Sequence, residues 1–306
     1  VCTSGTAASN YLTGVTEAYY SHAPLLVITY DRSPYTLHQL ETQKIDQPAI
    51  FTSVVKKSVS LPVIKDADDI WYCQRLLNEA FISLKQHQSG PVHINIPLVG
   101  DTNALWNESV KKLRNGQARK INYVSVDDTE MWQQMAKILS SKKRVIIVMG
   151  QDCSGDENLH QALMQYCSYT QVPILLDNLS NFRCSQMVWA EPVIKALNAN
   201  SIEGMLPEVV ITFGNNFQER IKDLLKAHQG KFEHWSIDQE GVVRDVFKSQ
   251  TALFECKPAY FFNYFTKNVI PTDGTYCHRW QELADAIKLP EMPFTNFYTI
   301  KEFSRV

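Results

Sequence analysis

The sequence predicts an α/β chain of two doubly wound parallel-sheet domains, and three observations carry that reading. Short apolar runs closed by a Gly or an Asp recur along it: residues 25–30 (LLVITY), 144–150 (RVIIVMG), 208–214 (EVVITFG) and 232–238 (FEHWSID). Runs this rich in Val, Ile and Leu belong to strands covered on both faces. Longer stretches with apolar residues at helical spacing lie between them, and strands alternating with helices argue for a parallel sheet. Finally, a basic and polar stretch without periodicity, residues 100–128, divides the chain.

At 306 residues the chain has length for two domains with cores of their own. A net charge of −2, from 30 Lys and Arg against 32 Asp and Glu, gives no footing for nucleic acid or an anionic membrane. No apolar run reaches the length of a membrane span. The seven cysteines (Cys2, Cys73, Cys153, Cys167, Cys184, Cys256 and Cys277) contain no C-x-x-C pair, so neither a zinc site nor a disulfide frame is predicted. They read as thiols of a reducing, cytoplasmic protein. There is no initiator Met, Val1-Cys2-Thr3 reads as the tail of a strand already under way, and residues 298–306 look helical but end without a cap. The chain is therefore expected to be an internal piece of a longer one.

The first domain is expected over residues 1–105. Thr3-Ser4-Gly5-Thr6, then Ala7, Ala8, Asn10 and Tyr11, reads as a strand–turn–helix junction. The helix should run to about Tyr20 with Leu12, Val15 and Tyr19 on one buried face. Its start offers free N–H groups and a positive dipole end, as many such junctions do without binding anything. The buried strand 25–30 ends in Asp31, Arg32, Ser33 and Pro34. Ligands in open α/β sheets bind outside the carboxyl ends of strands. An arginine there can grip a carboxylate through two parallel hydrogen bonds. Gln43, eleven residues on, follows a polar loop able to fold back over that strand end. The same spacing also fits a surface arginine beside an ordinary loop.

Residues 51–61 should supply a short strand, with Asp66, Asp68 or Asp69 capping the next helix. Trp71, Leu76, Leu77, Ala80, Phe81 and Leu84 mark that helix's core stripe. Gly90-Pro91 breaks the chain, and Val92, Ile94 and Ile96 alternate as a final strand. His93 falls on the opposite face and is expected to be a satisfied structural histidine. Residues 106–127 follow as a linker carrying Lys111, Lys112, Arg114, Arg119 and Lys120.

The second domain is expected over residues 128–288. Its strands are 144–150, 173–177, 208–214, 232–238 and 252–256. Helices start near Leu159 (with Leu163, Met164 and Tyr166), carry Val193, Ile194 and Leu197, and span 218–228. The turn Gly150-Gln151-Asp152-Cys153-Ser154-Gly155 is not G-x-G-x-x-G, and Asp152 and Asp156 would repel a pyrophosphate, so no nucleotide is expected. Residues 289–306 should open a third domain.

TYDRSP…QKIDQ resembles the T-A-D-R-P…Q-x-I-x-Q stretch of the thiamine-diphosphate-dependent synthases of menaquinone biosynthesis. The likeness extends upstream through CTSGTAASNYLTGVTEAYYSHAPLLVIT and downstream to IDQPAIF and GPVHINIP. Tyr30, Ser33 and Leu40-Glu41 depart from the family's Ala, Pro and Gly-Ala. The resemblance implies a truncated pyrimidine-binding domain followed by a Rossmann-like central domain. It implies thiamine diphosphate, with Gly5, Thr6 and Asn10 facing its aminopyrimidine, and Mg²⁺. It implies decarboxylation of 2-oxoglutarate and addition of the succinyl carbanion equivalent to isochorismate, with Arg32 and Gln43 on substrate. The family also places two basic residues after the third strand of the central domain. Arg220 aligns with the first, Ile221 stands at the second and Lys222 is next door. A homodimer or homotetramer is implied, its site shared between subunits.

No nucleophile–base pair, G-x-S-x-G, H-E-x-x-H or metal-ligand spacing occurs. The family's catalytic Glu would lie upstream of Val1, and no G-D-G…N metal segment is present, so no catalytic or metal-binding residue is expected here and the chain alone should be inactive. Another thiamine-diphosphate decarboxylase or carboligase, and a non-catalytic α/β binding module, are the competing readings.

Overall fold

The computed structural model describes residues 1–99, 119–152, 154–176, 178–197 and 199–288. Most of the expected linker, the ends of the expected strand 173–177 and of the chain (289–306), and Cys153 lie outside the described residues. The chain divides into two compact units, Val1–Tyr123 and Val124–Val306.

In the first unit, α1 (Thr6–Ser9) and α2 (Leu12–Tyr20) precede β1 (Leu26–Asp31). A 3₁₀ turn (Pro34–Thr36), α3 (Gln47–Ile50), β2 (Lys57–Ser60), α4 (Ala67–Ser83) and β3 (Val92–Pro97) follow. The three strands form one sheet in the order β1-β3-β2, both pairings parallel. Cys2 adds a parallel bridge to Thr29. Asp66 caps α4, its carboxylate accepting from the Asp68 and Asp69 amides at 2.9 and 3.0 Å.

Three expectations change here. The helix after Gly5 is two short pieces, and it buries Val15 and Ala18 while Leu12 and Tyr19 are exposed. Residues 51–61 give a strand only at Lys57–Ser60, because Phe51 and Val55 are spent in an apolar cluster with Val15 and Val27. Phe81 faces solvent, and the α4 stripe that packs on Val59, Val92 and Ile94 consists of Leu76 and Ala80 with Leu77 and Leu84 alongside.

The second unit opens with β4 (Asn122–Ser125), which begins inside the stretch expected as linker. It continues with α5 (Thr129–Ser140), β5 (Val145–Met149), α6 (Glu157–Thr170), β6 (Ile174–Leu176), β7 (Met187–Trp189), α7 (Ala190–Ala196) and α8 (Ala199–Met205). Then come β8 (Val209–Phe213), α9 (Glu219–Ala227), β9 (Glu233–Asp238), β10 (Gln250–Glu255), α10 (Pro258–Asn268) and α11 (Thr275–Asp285). The seven strands run in the order β4-β10-β9-β8-β5-β6-β7. Alternate residues of β5 serve opposite faces: Val145, Ile147 and Met149 join one core cluster, Ile146 and Val148 the other. Sequence periodicity did not foresee β4 and β7, which have four and three residues. Met164, expected on the core face of α6, is exposed.

Strand order reverses between β5 and β8, where a doubly wound sheet opens its crevice. Here the two loops pair backbone to backbone. Gly150 N–H donates to Phe213 O (2.9 Å), Gln151 N–H to Asn216 O (3.0 Å), and Asn215 N–H to Gln151 O (3.0 Å). A side chain at Gly150 would put its Cβ 2.6 Å from Asn215 O. The chain itself fills that position.

Candidate active site

The carboxyl end of β1 is organised by buried polar groups rather than by Arg32 alone. Thr29, Asp31, Gln47, His93 and Asn95 are each at most 4% exposed. Parallel register sets Thr29 opposite Asn95 and Val27 opposite His93, which brings these side chains onto one face. Gln47 is the hub. Its Oε1 accepts from Gly5 N–H at 2.7 Å, and its Nε2 donates to Tyr30 O at 2.9 Å and to Asn95 Oδ1 at 3.0 Å. Asn95 Oδ1 also accepts from Thr29 Oγ1 (2.9 Å), while Asn95 Nδ2 donates to Asp31 Oδ2 (3.1 Å) and Ser60 Oγ (3.2 Å).

Thr29 Oγ1 lies 2.8 Å from His93 Nε2, within hydrogen-bond distance. Ser58 Oγ lies 2.9 Å from His93 Nδ1, so both ring nitrogens have a hydrogen-bonding partner. Burial, opposed by the Asp31 charge, lowers the imidazole pKa to about 4, so it is neutral at pH 7. His93 is the satisfied structural histidine that the strand pattern suggested, on the face of β3 opposite Val92 and Ile94 and packed edge-on against Phe51.

Asp31 is also held by Lys44. Lys44 Nζ lies 2.7 Å from Asp31 Oδ2, and their side chains are 5% and 3% exposed. Arg32 N–H donates to Asp31 Oδ1 at 2.8 Å. Such a pair fixes geometry more surely than it adds stability, since removing either partner strands a buried charge. The sequence reading did not single out Asp31, Lys44, Gln47 or Asn95. Lys44 and Gln47 lie inside the QKIDQ stretch, which was the available signal.

Of the expected substrate residues, Arg32 and Gln43 do meet: Arg32 Nη2 donates to Gln43 Oε1 at 3.2 Å. Glu41 Oε1 stands 3.7 Å from Arg32 Nη1, and Arg32 Nε is buried without a partner. His38, Leu40 and Gln43 all have positive φ (62°, 57° and 58°). For non-glycine residues this costs energy and marks a loop held by its surroundings. Gly5 has φ 74°, and a Cβ there would sit 2.9 Å from Gln43 Cα. Gly5 and Gln43 are thus in backbone contact, and only glycine fits. Thr6 and Asn10 are exposed on α1.

A cavity of about 530 Å³ opens at the carboxyl ends of the three strands. Its walls carry Asp31, Asp46, Asp66 and Asp69 against Lys44 and Lys65. Arg32 and Gln43 are not among its lining residues. Arg220 and Lys222, in the second unit, point to different sides of α9, as residues two apart on a helix do. Arg220 pairs with Glu191 at 3.4 Å, both exposed. Lys222, 2.5 Å from Glu219, lines a separate cavity of about 280 Å³ beyond β8 and β9. Among the described residues no group of three His, Cys, Asp or Glu is arranged to hold a metal ion, and no helix is long and apolar enough to cross a membrane.

Residues 1–50 match the family model for the thiamine pyrophosphate enzyme N-terminal TPP binding domain. Over 98% of its length the chain is 32% identical to a 2-succinyl-5-enolpyruvyl-6-hydroxy-3-cyclohexene-1-carboxylate synthase of Bacteroides fragilis, covering 54% of that protein. The synthase of the same name from Bacteroides thetaiotaomicron is 32% identical over 98% of the chain and 53% of its own length. That from Desulfotalea psychrophila is 30% identical over 90% and 51%. The chain spans about half the length of the curated relatives it matches. Its first 50 residues thus resemble the thiamine-pyrophosphate-binding domain of that family, and over nearly its whole length the chain is similar to these synthases.

Proposed function

We propose that the chain forms one wall of the active site of a cytoplasmic thiamine-diphosphate- and Mg²⁺-dependent synthase that decarboxylates 2-oxoglutarate and joins the succinyl unit to isochorismate. The observation that carries this is the backbone contact of Gly5 with Gln43, which in turn holds Arg32 at 3.2 Å. The residues read as cofactor-facing and those read as substrate-facing are neighbours at one strand end. A glycine with φ 74° lets the Gln43 backbone close on the start of α1, which sets the two groups side by side. Thiamine diphosphate supplies the electron sink for decarboxylation when bound.

The chain's own groups bind and orient. Gly5, Thr6 and Asn10 would face the pyrimidine. Arg32 would grip a substrate carboxylate in place of its weak contact with Glu41, with Gln43 steadying the guanidinium. Lys222, which lines a cavity, is a better candidate than Arg220 for a second carboxylate, though both remain assigned to substrate. Gln47 and Asn95 fix the strand end, and Asp31–Lys44 keeps the loop against it. The domains we assign are 1–105, a linker that ends before β4 rather than at 127, a central domain from β4 to 288, and a third beginning at 289, in a homodimer or homotetramer.

The experiment is a product assay on the full-length protein, with isochorismate and 2-oxoglutarate against isochorismate and pyruvate. Product only with 2-oxoglutarate supports the reading; product with pyruvate returns the chain to the wider group of decarboxylases and carboligases. The 306-residue chain alone, given cofactor and Mg²⁺, should show no turnover above blank.

A further inference from the structure

A guanidinium grips a carboxylate well only when its fork is aimed, and aim begins at the backbone from which the side chain springs. The backbone of Arg32 is clamped at both of its polar groups. Asp31 Oδ1 accepts from Arg32 N–H at 2.8 Å, and Lys44 Nζ donates to Arg32 O at 3.4 Å. The two clamps are the members of one buried ion pair, Lys44 Nζ lying 2.7 Å from Asp31 Oδ2. Asn95 Nδ2, on the neighbouring strand β3, donates to that same oxygen at 3.1 Å. Lys44 also follows Gln43, whose Oε1 accepts from Arg32 Nη2 at 3.2 Å. Residues 43 and 44 thus hold Arg32 at its two ends, one at the guanidinium and the other at the backbone.

The exposed contact of this loop has no such power. Arg32 and Glu41 stand 3.7 Å apart and open to solvent, so water and salt screen them and either side chain can turn away. Asp31 and Lys44 have no water to turn to, and each compensates a buried charge on the other. The pair fixes the start of the Arg32 side chain, and Gln43 narrows the directions left to its end.

We propose that Asp31 and Lys44 are the positioning residues of Arg32, acting on substrate through its guanidinium. The proposal rests on the reading of Arg32 as substrate-facing given above, and adds to it what sets the aim. Without the clamp the guanidinium divides its time between substrate, Glu41 and water. The loss then appears as weaker binding of the substrate that Arg32 holds, it is smaller than the loss from deleting Arg32, and it vanishes when Arg32 is absent.

The test is steady-state kinetics on the full-length protein, with isochorismate and 2-oxoglutarate varied in turn. Lys44→Met should raise KM for isochorismate about five- to tenfold and leave KM for 2-oxoglutarate within about twofold. Arg32→Ala/Lys44→Met should match Arg32→Ala within about twofold, because no guanidinium remains to be aimed. Lys44→Met strands the Asp31 carboxylate. The second variant, Asp31→Asn/Lys44→Met, leaves no buried charge and should shift the isochorismate KM in the same direction, with β1 and β3 amides still protected from exchange. An unchanged isochorismate KM in a folded variant, equal rises for both substrates, or effects of Arg32→Ala and Lys44→Met that multiply in the double variant would each overturn the proposal and leave the reading of Arg32 standing. Loss of β1 protection in both Lys44 variants would overturn it as well, making the pair a support of the fold alone. An unchanged isochorismate KM in Arg32→Ala would remove the reading of Arg32, and the proposal with it.

Discussion

The two units bury their sheets in opposite ways. The second encloses seven strands between two apolar clusters, one built on Trp132, Trp235, Phe254, Phe261 and Phe265, the other on Ile146, Val210, Phe247 and Trp280. The first has three strands and two small apolar clusters, and fills the end of its sheet with Thr29, Asp31, Gln47, His93 and Asn95. Apolar burial is non-directional and tolerant, whereas a buried polar network must be complete or it costs more than it gives. The difference teaches where each unit is vulnerable: the second to lost volume, the first to lost partners and to pH.

The largest expected effect lies in the second unit. Phe254→Ala should cost about 3–5 kcal/mol in urea unfolding, because it opens a cavity among fully buried aromatics. Hydrogen exchange on the same samples sharpens the contrast. In the unmutated chain the amides of β1 should exchange faster than those of β5, and the substitution should reverse that order. Equal protection of both strands in a demonstrated monomer would erase the proposed difference in stability.

Acid should act on the first unit through His93. Its pKa is about 4 folded, against about 6.5 unfolded, so between those values the unfolded chain binds the proton and stability falls as pH falls. The loss should approach about 3 kcal/mol near pH 4, read from β1 amide exchange at pH 7, 5.5 and 4, and His93→Gln should flatten the profile. Protection of β1 that is unchanged down to pH 4 would show that His93 is not held neutral.

Asn95→Leu keeps the volume but leaves Thr29, Gln47 and Asp31 each short of a partner. It should lower first-unit stability by about 2–3 kcal/mol in the urea curve. A loss below about half a kcal/mol would mean that the network is not cooperative.

Arg32→Ala should have the smallest effect on folding, within about 0.5 kcal/mol, since its contact with Glu41 is solvent-exposed. In the full-length protein it should raise KM for isochorismate and lower kcat/KM about ten- to a hundredfold, if the guanidinium grips a substrate carboxylate. Unchanged kinetics would leave Arg32 an ordinary surface residue.

The sequence by itself determined the strands with apolar runs, β1, β5 and β8, because burial on both faces leaves a mark in neighbouring residues, and β3 through the alternation of Val92, Ile94 and Ile96. It also carried the resemblance to the thiamine-diphosphate synthases, through ordered stretches around Gly5, Arg32 and Gln47, and a loop able to bring Gln43 back to Arg32. Strands β4 and β7 were not legible, because Asn122–Ser125 sits at the end of a polar stretch that reads as linker and Met187–Trp189 is a three-residue edge strand without turn signals of its own. Only the tertiary structure decided which polar groups pair. Lys44 rather than Arg32 took Asp31, and Lys222 rather than Arg220 turned toward a cavity. Hydrophobic periodicity is written into neighbouring residues. A hydrogen bond or a buried ion pair depends on strand register, helix phase and loop path, and these are fixed only when the whole sheet closes.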